Sequence, residues 1–374
     1  VATNDEPIPF LRPSLPDRRL LAADIDAIYE SGRYTNGGAF SERLAAGLAS
    51  YSGAAHCVPV SSGTVALMLL IEAAARPAGG GKVLMPSFTF AATALAVEWA
   101  GYEPVFCDVD ESTWQPAIDT ATFGDDAGEF VLALACNTFG APSDLPSWRT
   151  ACETSSIPLV VDSAAGFGAS YPDGRKFGAT GVPEIFSLHA TKTLSAVEGG
   201  AIATNDRRLA DHLRLLTNFG MNADGAVHGR GLNAKMSEFH AAIACRVLER
   251  YDEILEDRRA TAAAYRARLE PQGFRFQPNG ELSPYQFVPC TVPDRIARDD
   301  LIAAAAAAGI ECRKYFSMPL HREARYAQCE RTGGLGATQR LADRILSLPM
   351  SDDMAERDID RICTALTAFV ERTR

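Results

Sequence analysis

Residues 184–205 read EIFSLHATKTLSAVEGGAIATN, and the chain is organised around the lysine at their centre, Lys192. Residues 185–188 and 200–204 are short apolar runs of strand length. The stretch between them has neither helix nor strand period, so Lys192 is expected on a loop at a strand end. Phe186, Leu188, Leu194 and Val197 surround it in sequence. Enclosed by them, the amine would lose hydration, which disfavours the ammonium form and leaves a nucleophile toward carbonyl carbon, as in Schiff-base lysines. The competing reading is a surface lysine near a turn.

Upstream, residues 157–162 (IPLVVD) are an apolar run that ends in Asp162. Open α/β sheets present ligand-contacting residues at such strand ends. The same acid equally suits capping of the turn Ser163-Ala164-Ala165-Gly166. Residues 57–60 lead through Ser61-Ser62-Gly63-Thr64 into a helical run over 65–75. Unpaired amides at that helix start, with the positive end of the dipole, would make an anion site; an ordinary helix cap is the alternative. Neither a P-loop lysine nor a three-glycine dinucleotide fingerprint is present.

Further strands over 82–85, 104–109 and 130–135, with a helix over 91–100, complete an alternation that predicts an α/β fold with a doubly wound, mostly parallel sheet. Helices are also expected over 20–29 and 41–49. The glycine-rich stretch between them (GRYTNGG, 32–38) is either a connector or a polar loop at a pocket mouth. A long helical stretch over 237–269 is expected to bridge two domains. Beyond it, apolar runs at 285–292 and 310–313 and helices over 298–308 and 355–372 form a smaller C-terminal α+β unit. The expected division is a large domain at 1–250 and a small one at 251–374.

The chain has 374 residues and a net charge of −11, which gives no electrostatic attraction to nucleic acid or an anionic membrane. Its nine cysteines lack CxxC or framework spacing and read as reduced core residues of a cytosolic protein; its six histidines lack metal-ligand spacing, so no metal is expected. Residues 1–6 (VATNDE) show no leader pattern and no run reaches transmembrane length, which places the chain in the cytoplasm.

Six blocks, in this order, carry a resemblance: SSGTVAL from Ser61, MPSFTFAAT from Met85, VVDSAAGFG from Val160, FSLHATKTLSAVEGGAI from Phe186, GLNAKMSEFHAAI from Gly231 and LSLPMSDDM from Leu346. Over nearly its whole length the chain resembles the DegT/DnrJ/EryC1/StrS sugar aminotransferases, which have the aspartate-aminotransferase fold (fold type I) and carry pyridoxal 5′-phosphate (PLP). The resemblance implies that Lys192 holds PLP as a Schiff base. It sets Asp162 against the pyridine nitrogen, where a carboxylate keeps that nitrogen protonated and the ring an electron sink. Phe90 would stack on the ring. Gly63, Thr64 and Ser187 would hold the phosphate, and Asn233 would reach across from a neighbouring subunit, making a homodimer with a shared active site.

The implied reaction moves an amino group from an amino acid, glutamate, to a nucleotide-linked keto-(deoxy)hexose. Tyr34, Thr35, Asn36, His189 and His321 are candidates for the sugar and its diphosphate, with a packing or surface role the alternative for His321. The rival readings are a PLP-dependent sugar dehydratase or lyase and a PLP-binding regulator without turnover. Three positions bear on the resemblance. Ala165 stands where the family commonly has Gln or His, a space that Phe167 or His189 could fill. Val197 stands where a glycine often precedes Glu198. Lys192 is kept where dehydratase relatives carry histidine, which favours transamination.

Overall fold

The computed structural model describes residues 6–76 and 80–373, so the reading of residues 1–5 lies outside the described residues. The chain opens with helices α1 (Arg18–Ser31) and α2 (Ala39–Ser52). The Asp17 carboxylate caps α1 by accepting from the Arg19 amide at 2.7 Å, and Gly32, at φ 64°, ends it in the left-handed conformation that glycine adopts without strain. Next come β1 (His56–Val60), α3 (Gly63–Ala74), β2 (Lys82–Pro86), α4 (Ala91–Trp99), β3 (Glu103–Cys107), β4 (Phe130–Cys136), α5 (Leu145–Thr154), β5 (Leu159–Asp162) and β6 (Glu184–Ser187), strand and helix alternating except between β3 and β4 and between β5 and β6. The chain returns in β7 (Gly200–Thr204) and continues into α6 (Arg207–Leu216), α7 (Glu238–Leu248) and α8 (Tyr251–Leu269). The C-terminal part adds β8 (Arg275–Phe276), β9 (Val288–Thr291), α9 (Arg298–Ala307), α10 (Gly336–Arg344), β10 (Ile345–Leu348) and α11 (Glu356–Thr373).

The large sheet has seven strands in the order β1-β7-β6-β5-β4-β2-β3. Only β7 runs antiparallel to its neighbours, because the chain between β6 and β7 turns back at once and makes no crossover. Successive residues point to opposite faces, and both faces are covered. Val160 and Ile185 pack under α3, α4 and α6, whereas Val161 and Phe186 join the core on the side of α2, α5 and α7. Burial on both sides explains why the strands read as unbroken apolar runs. The parallel strands β4, β5 and β6 end together at Cys136, Asp162 and Ser187, and the start of β7 lies at the same edge. That edge carries the site.

A second sheet, β10-β9-β8, packs with α9 and α11 around a separate core. Ile8 and Phe10 from the N-terminal segment and Phe88 and Phe139 from the loops after β2 and β4 also enter this core. The expected single helix over 237–269 is broken: Arg250 leaves helical geometry at φ −115°, ψ 21° and separates α7 from α8. α7 is held to α1 by a bidentate Arg246–Asp24 pair at 2.7 Å. Along α8, Tyr251, Ile254 and Leu255 belong to the core beside the large sheet, and Ala262, Tyr265 and Leu269 to the other. Residues 310–313 form no strand. Ile310 bridges to Ile8 and Arg313 to Ser347, so the pairing is split between two partners and no ladder forms.

The glycine-rich loop before α2 is fastened to α7. The buried Glu238 carboxylate accepts from the amides of Gly38, Phe40 and Ser41 at 3.1, 2.8 and 3.1 Å and from the Ser41 hydroxyl, while the Glu238 amide donates to the Tyr34 carbonyl at 3.0 Å. One carboxylate thus satisfies the free amides at the start of α2 and sits in the first turn of α7.

Candidate active site

A cavity of about 650 Å³ opens at the carboxyl edge of β4, β5 and β6, within the range of small-molecule sites. Lys192 reaches it from the loop between β6 and β7. That loop is laced by backbone bonds from Leu188 to Gly199 (2.9 Å), Ala190 to Val197 (2.7 Å) and Lys192 to His189 (2.8 Å). Phe186, Leu188 and Leu194 are buried beneath it, but Val197 points outward and does not enclose the amine. The Lys192 side chain donates from Nζ to Gln286 Oε1 at 3.0 Å. Burial lowers its pKa to about 8, with Asp162 and then Cys136 pulling the other way.

Asp162, at the end of β5, is buried and faces the same cavity. Oδ2 accepts from Thr93 Oγ1 at 2.8 Å, and Oδ1 accepts from the Ala164 amide at 3.0 Å. The acid therefore holds its own turn with one oxygen and is aligned by α4 with the other. Burial raises its pKa, opposed by Thr93, Ala164 and Lys192.

Across from these groups lies the start of α3. Ser62 Oγ caps it by accepting from the Val65 amide at 3.2 Å, which leaves the Gly63 and Thr64 amides without an acceptor among the described residues. A Cβ on Gly63 would lie 2.7 Å from Ser187 Cβ, and one on Gly200 would lie 2.5 Å from the Ser62 carbonyl oxygen. Glycine at both positions lets β6, β7 and α3 converge on a small cradle bordered by the Ser187 hydroxyl and Thr64. Phe90, at the cap of α4, is 61% exposed and forms part of the cavity wall, 6.4 Å from the Phe316 ring. Unpaired amides at a helix start, a partly desolvated lysine and a buried carboxylate suit a phosphate, an aldehyde and a pyridinium nitrogen, so the residues fit PLP.

Ala165 and His189 both line the cavity, whereas Phe167 turns into the core against Phe186 (5.2 Å) and does not fill the space beside Ala165. His189 Nδ1 lies 2.9 Å from Thr191 Oγ1. His321 stands apart from the cavity. It is buried with Nδ1 2.6 Å from Ser87 Oγ and Nε2 3.2 Å from Gln339 Nε2, and burial lowers its pKa. It packs the loop after β2 against α10, and the packing alternative describes its place. Tyr34, Thr35, Asn36 and Asn233 are exposed and lie outside the cavity of their own chain; the Tyr34 ring stacks on Phe239 at 6.3 Å, and Asn233 pairs with Asn218. The sequence reading misses Gln286, Thr93, Glu311, Arg313, Tyr315 and Phe316 on the cavity wall. The signal for Gln286 was one amide inside the apolar run 285–290. A groove of about 850 Å³ elsewhere is larger, but its Arg175 pairs with Asp173 and its Arg149 donates to the Thr180 carbonyl, leaving no comparable chemistry.

Val197 sits at φ 69°, a left-handed conformation unusual for a β-branched residue. Such strain costs about 1–3 kcal/mol. Val197→Gly is therefore expected to raise stability by about 1 kcal/mol, after glycine's added unfolded-state entropy of roughly 0.4–1 kcal/mol. Thermal unfolding checks this; a lower Tm would show that contacts of the valine side chain outweigh the strain.

Fold and site together define a PLP-dependent aminotransferase of fold type I. Residues 17–367 match the DegT/DnrJ/EryC1/StrS aminotransferase family, and the chain belongs to it. Protein Rv3402c of Mycobacterium tuberculosis (strain ATCC 25618 / H37Rv) is 36% identical over 372 residues, covering 96% of this chain and 89% of the relative. The crystal structure of DesI in the presence of its TDP-sugar product superposes with a TM-score of 0.91 at 32% identity, covering 100% of this chain and 95% of that one. A putative PLP-dependent aminotransferase from Bacillus cereus ATCC 10987 superposes with a TM-score of 0.89 at 30% identity, covering 96% of this chain and 100% of that one.

Proposed function

We propose that this chain transfers the amino group of glutamate to a nucleotide-linked keto-(deoxy)hexose, acting as a cytoplasmic homodimer with shared active sites. The convergence of Lys192, Asp162 and the start of α3 on one cavity carries this reading. Lys192 would hold PLP, Asp162 would face its ring nitrogen, Phe90 would lie on its ring, and Gly63, Thr64 and Ser187 would take its phosphate. Bound PLP supplies a sink for the electron pair left when the Cα–H bond of the amino donor breaks. The chain's own part is then proton traffic and orientation. With its pKa near 8, the Lys192 amine can take and return a proton at neutral pH. Asp162 would keep the ring nitrogen cationic, and Thr93 holds that carboxylate in place.

The sugar reading is supported by DesI, whose crystal structure was determined in the presence of its TDP-sugar product. The shared site is supported by Asn233, exposed and outside its own cavity, where a second copy could meet it. The cytoplasmic reading is supported by cysteines that are all unpaired; among the described residues no helix is long and apolar enough to cross a membrane. A division near residue 250 is supported by α8 passing from one core to the other.

The test is to incubate PLP-loaded protein with glutamate carrying heavy nitrogen and a dTDP-linked 4-keto-6-deoxyhexose. The expected product is an amino sugar bearing the label. Loss of water from the sugar without label would establish the dehydratase, and no change with any amino donor would point to a regulator.

A further inference from the structure

We propose that Gln286 is the positioning residue for the reactive lysine, holding the Lys192 amine in place whenever that amine is not joined to the cofactor. The inference rests on the reading of Lys192 as the cofactor lysine. The amide is oriented by two partners: Oε1 accepts from Lys192 Nζ at 3.0 Å, and Nε2 donates to Thr191 Oγ1 at 3.3 Å. Rotated by half a turn, it would set donor against donor at the lysine when the lysine is an ammonium.

The main chain beneath the amide is held as firmly. Arg258, on α8, donates from Nη1 to the carbonyls of Tyr285 (2.9 Å) and Gln286 (3.4 Å). Its Nη2 donates to Asp352 at 2.8 Å, and Asp352 also accepts from Ser14 Oγ at 2.6 Å. Arg258 is 1% exposed. A buried guanidinium thus fixes the base from which Gln286 extends, and with it the reach of Oε1. A lysine freed from the cofactor would otherwise move on its flexible four-carbon stem.

The choice of an amide has a chemical consequence. A carbonyl oxygen accepts from an amine and an ammonium alike, so it positions Nζ without adding charge. A carboxylate in its place would hold the ammonium form and slow every step that needs the free amine. The other charged or titratable groups around Nζ are Asp162 on β5, Cys136 on β4, His189 and Glu198 on the lysine's own loop, and Glu311, Arg313 and Tyr315 across the cavity. All stay constant when position 286 is changed.

The test uses the full chain stripped of PLP. Lys192 is labelled with acetic anhydride across a pH series and read by peptide mass spectrometry, and imine absorbance is followed as PLP is added back. Gln286→Glu should move the midpoint of both profiles up by about one unit or more, making imine formation at pH 7 about tenfold slower. Gln286→Met, close in volume but without the acceptor, should slow imine formation at every pH without raising the midpoint. Coincident labelling profiles in wild type and Gln286→Glu would overturn the proposal. Should Gln286→Glu not fold, unchanged imine formation in Gln286→Met overturns it equally. A reducible imine that survives Lys192→Ala would instead refute the reading beneath it.

Discussion

Lys192→Ala is expected to yield a folded protein that forms no borohydride-reducible imine with PLP and has lost amino transfer by about 10⁴-fold or more, the upper end of what a positioned acid–base group contributes. Folding should survive, because the loop is shaped by backbone bonds, such as Lys192 N to His189 O at 2.8 Å, that alanine retains. Burying an amine is also costly, and removing it relieves that cost. In the native chain, imine formation should rise with pH through about 8, because the pKa of the amine is lowered to that value and only the neutral form attacks. An amine in free solution would show its midpoint near its ordinary value of 10.5. Mapping the reduced adduct to a peptide other than the one carrying Lys192, or turnover retained in the variant, would remove the lysine from its role.

The elements that carry this chemistry were legible because each rests on local pattern. The run ending in Asp162, the Ser-Ser-Gly-Thr turn before α3 and the loop around Lys192 are marked by apolar strands that stop at polar or glycine residues. What was not legible depends on contacts between distant segments. Gln286 and Lys192 are separated by 94 positions, and His321 and Ser87 by 234, so no spacing rule joins them. The outward turn of Val197 follows from its positive φ, which a β-branched residue does not advertise. Ile8 and Phe10 lie in an extended segment without periodicity, yet they enter the C-terminal core. The break between α7 and α8 escapes notice because apolar spacing continues across it, although α7 packs against α1 and α2 and α8 against α11. The exposed places of Tyr34, Thr35, Asn36 and Asn233 follow from one chain's geometry, whereas the role expected of Asn233 involves a second copy.

Asp162→Asn separates function from folding by the sign of its two effects. Activity should fall by about 10²–10³-fold, the scale seen when one electrostatic contact to a reacting system is removed. Stability should stay level or rise. Asparagine can keep both local contacts, its carbonyl accepting from the Ala164 amide and its NH₂ donating to Thr93 Oγ1. It also removes a charge that the fold holds at a cost, since burial raises the Asp162 pKa. The linkage runs accordingly. A carboxyl whose folded pKa lies above its unfolded one destabilises the protein while ionised, and that penalty shrinks as pH falls through the folded value. Wild type should therefore lose less stability on mild acidification, relative to neutral pH, than Asp162→Asn does. A carboxylate that served only to hold the turn after β5 would behave differently: the asparagine variant, with its contacts intact, would match wild type in kinetics. Reduced turnover together with equal or higher Tm is the outcome expected of an acid kept charged in a buried place for what it does to a bound ring.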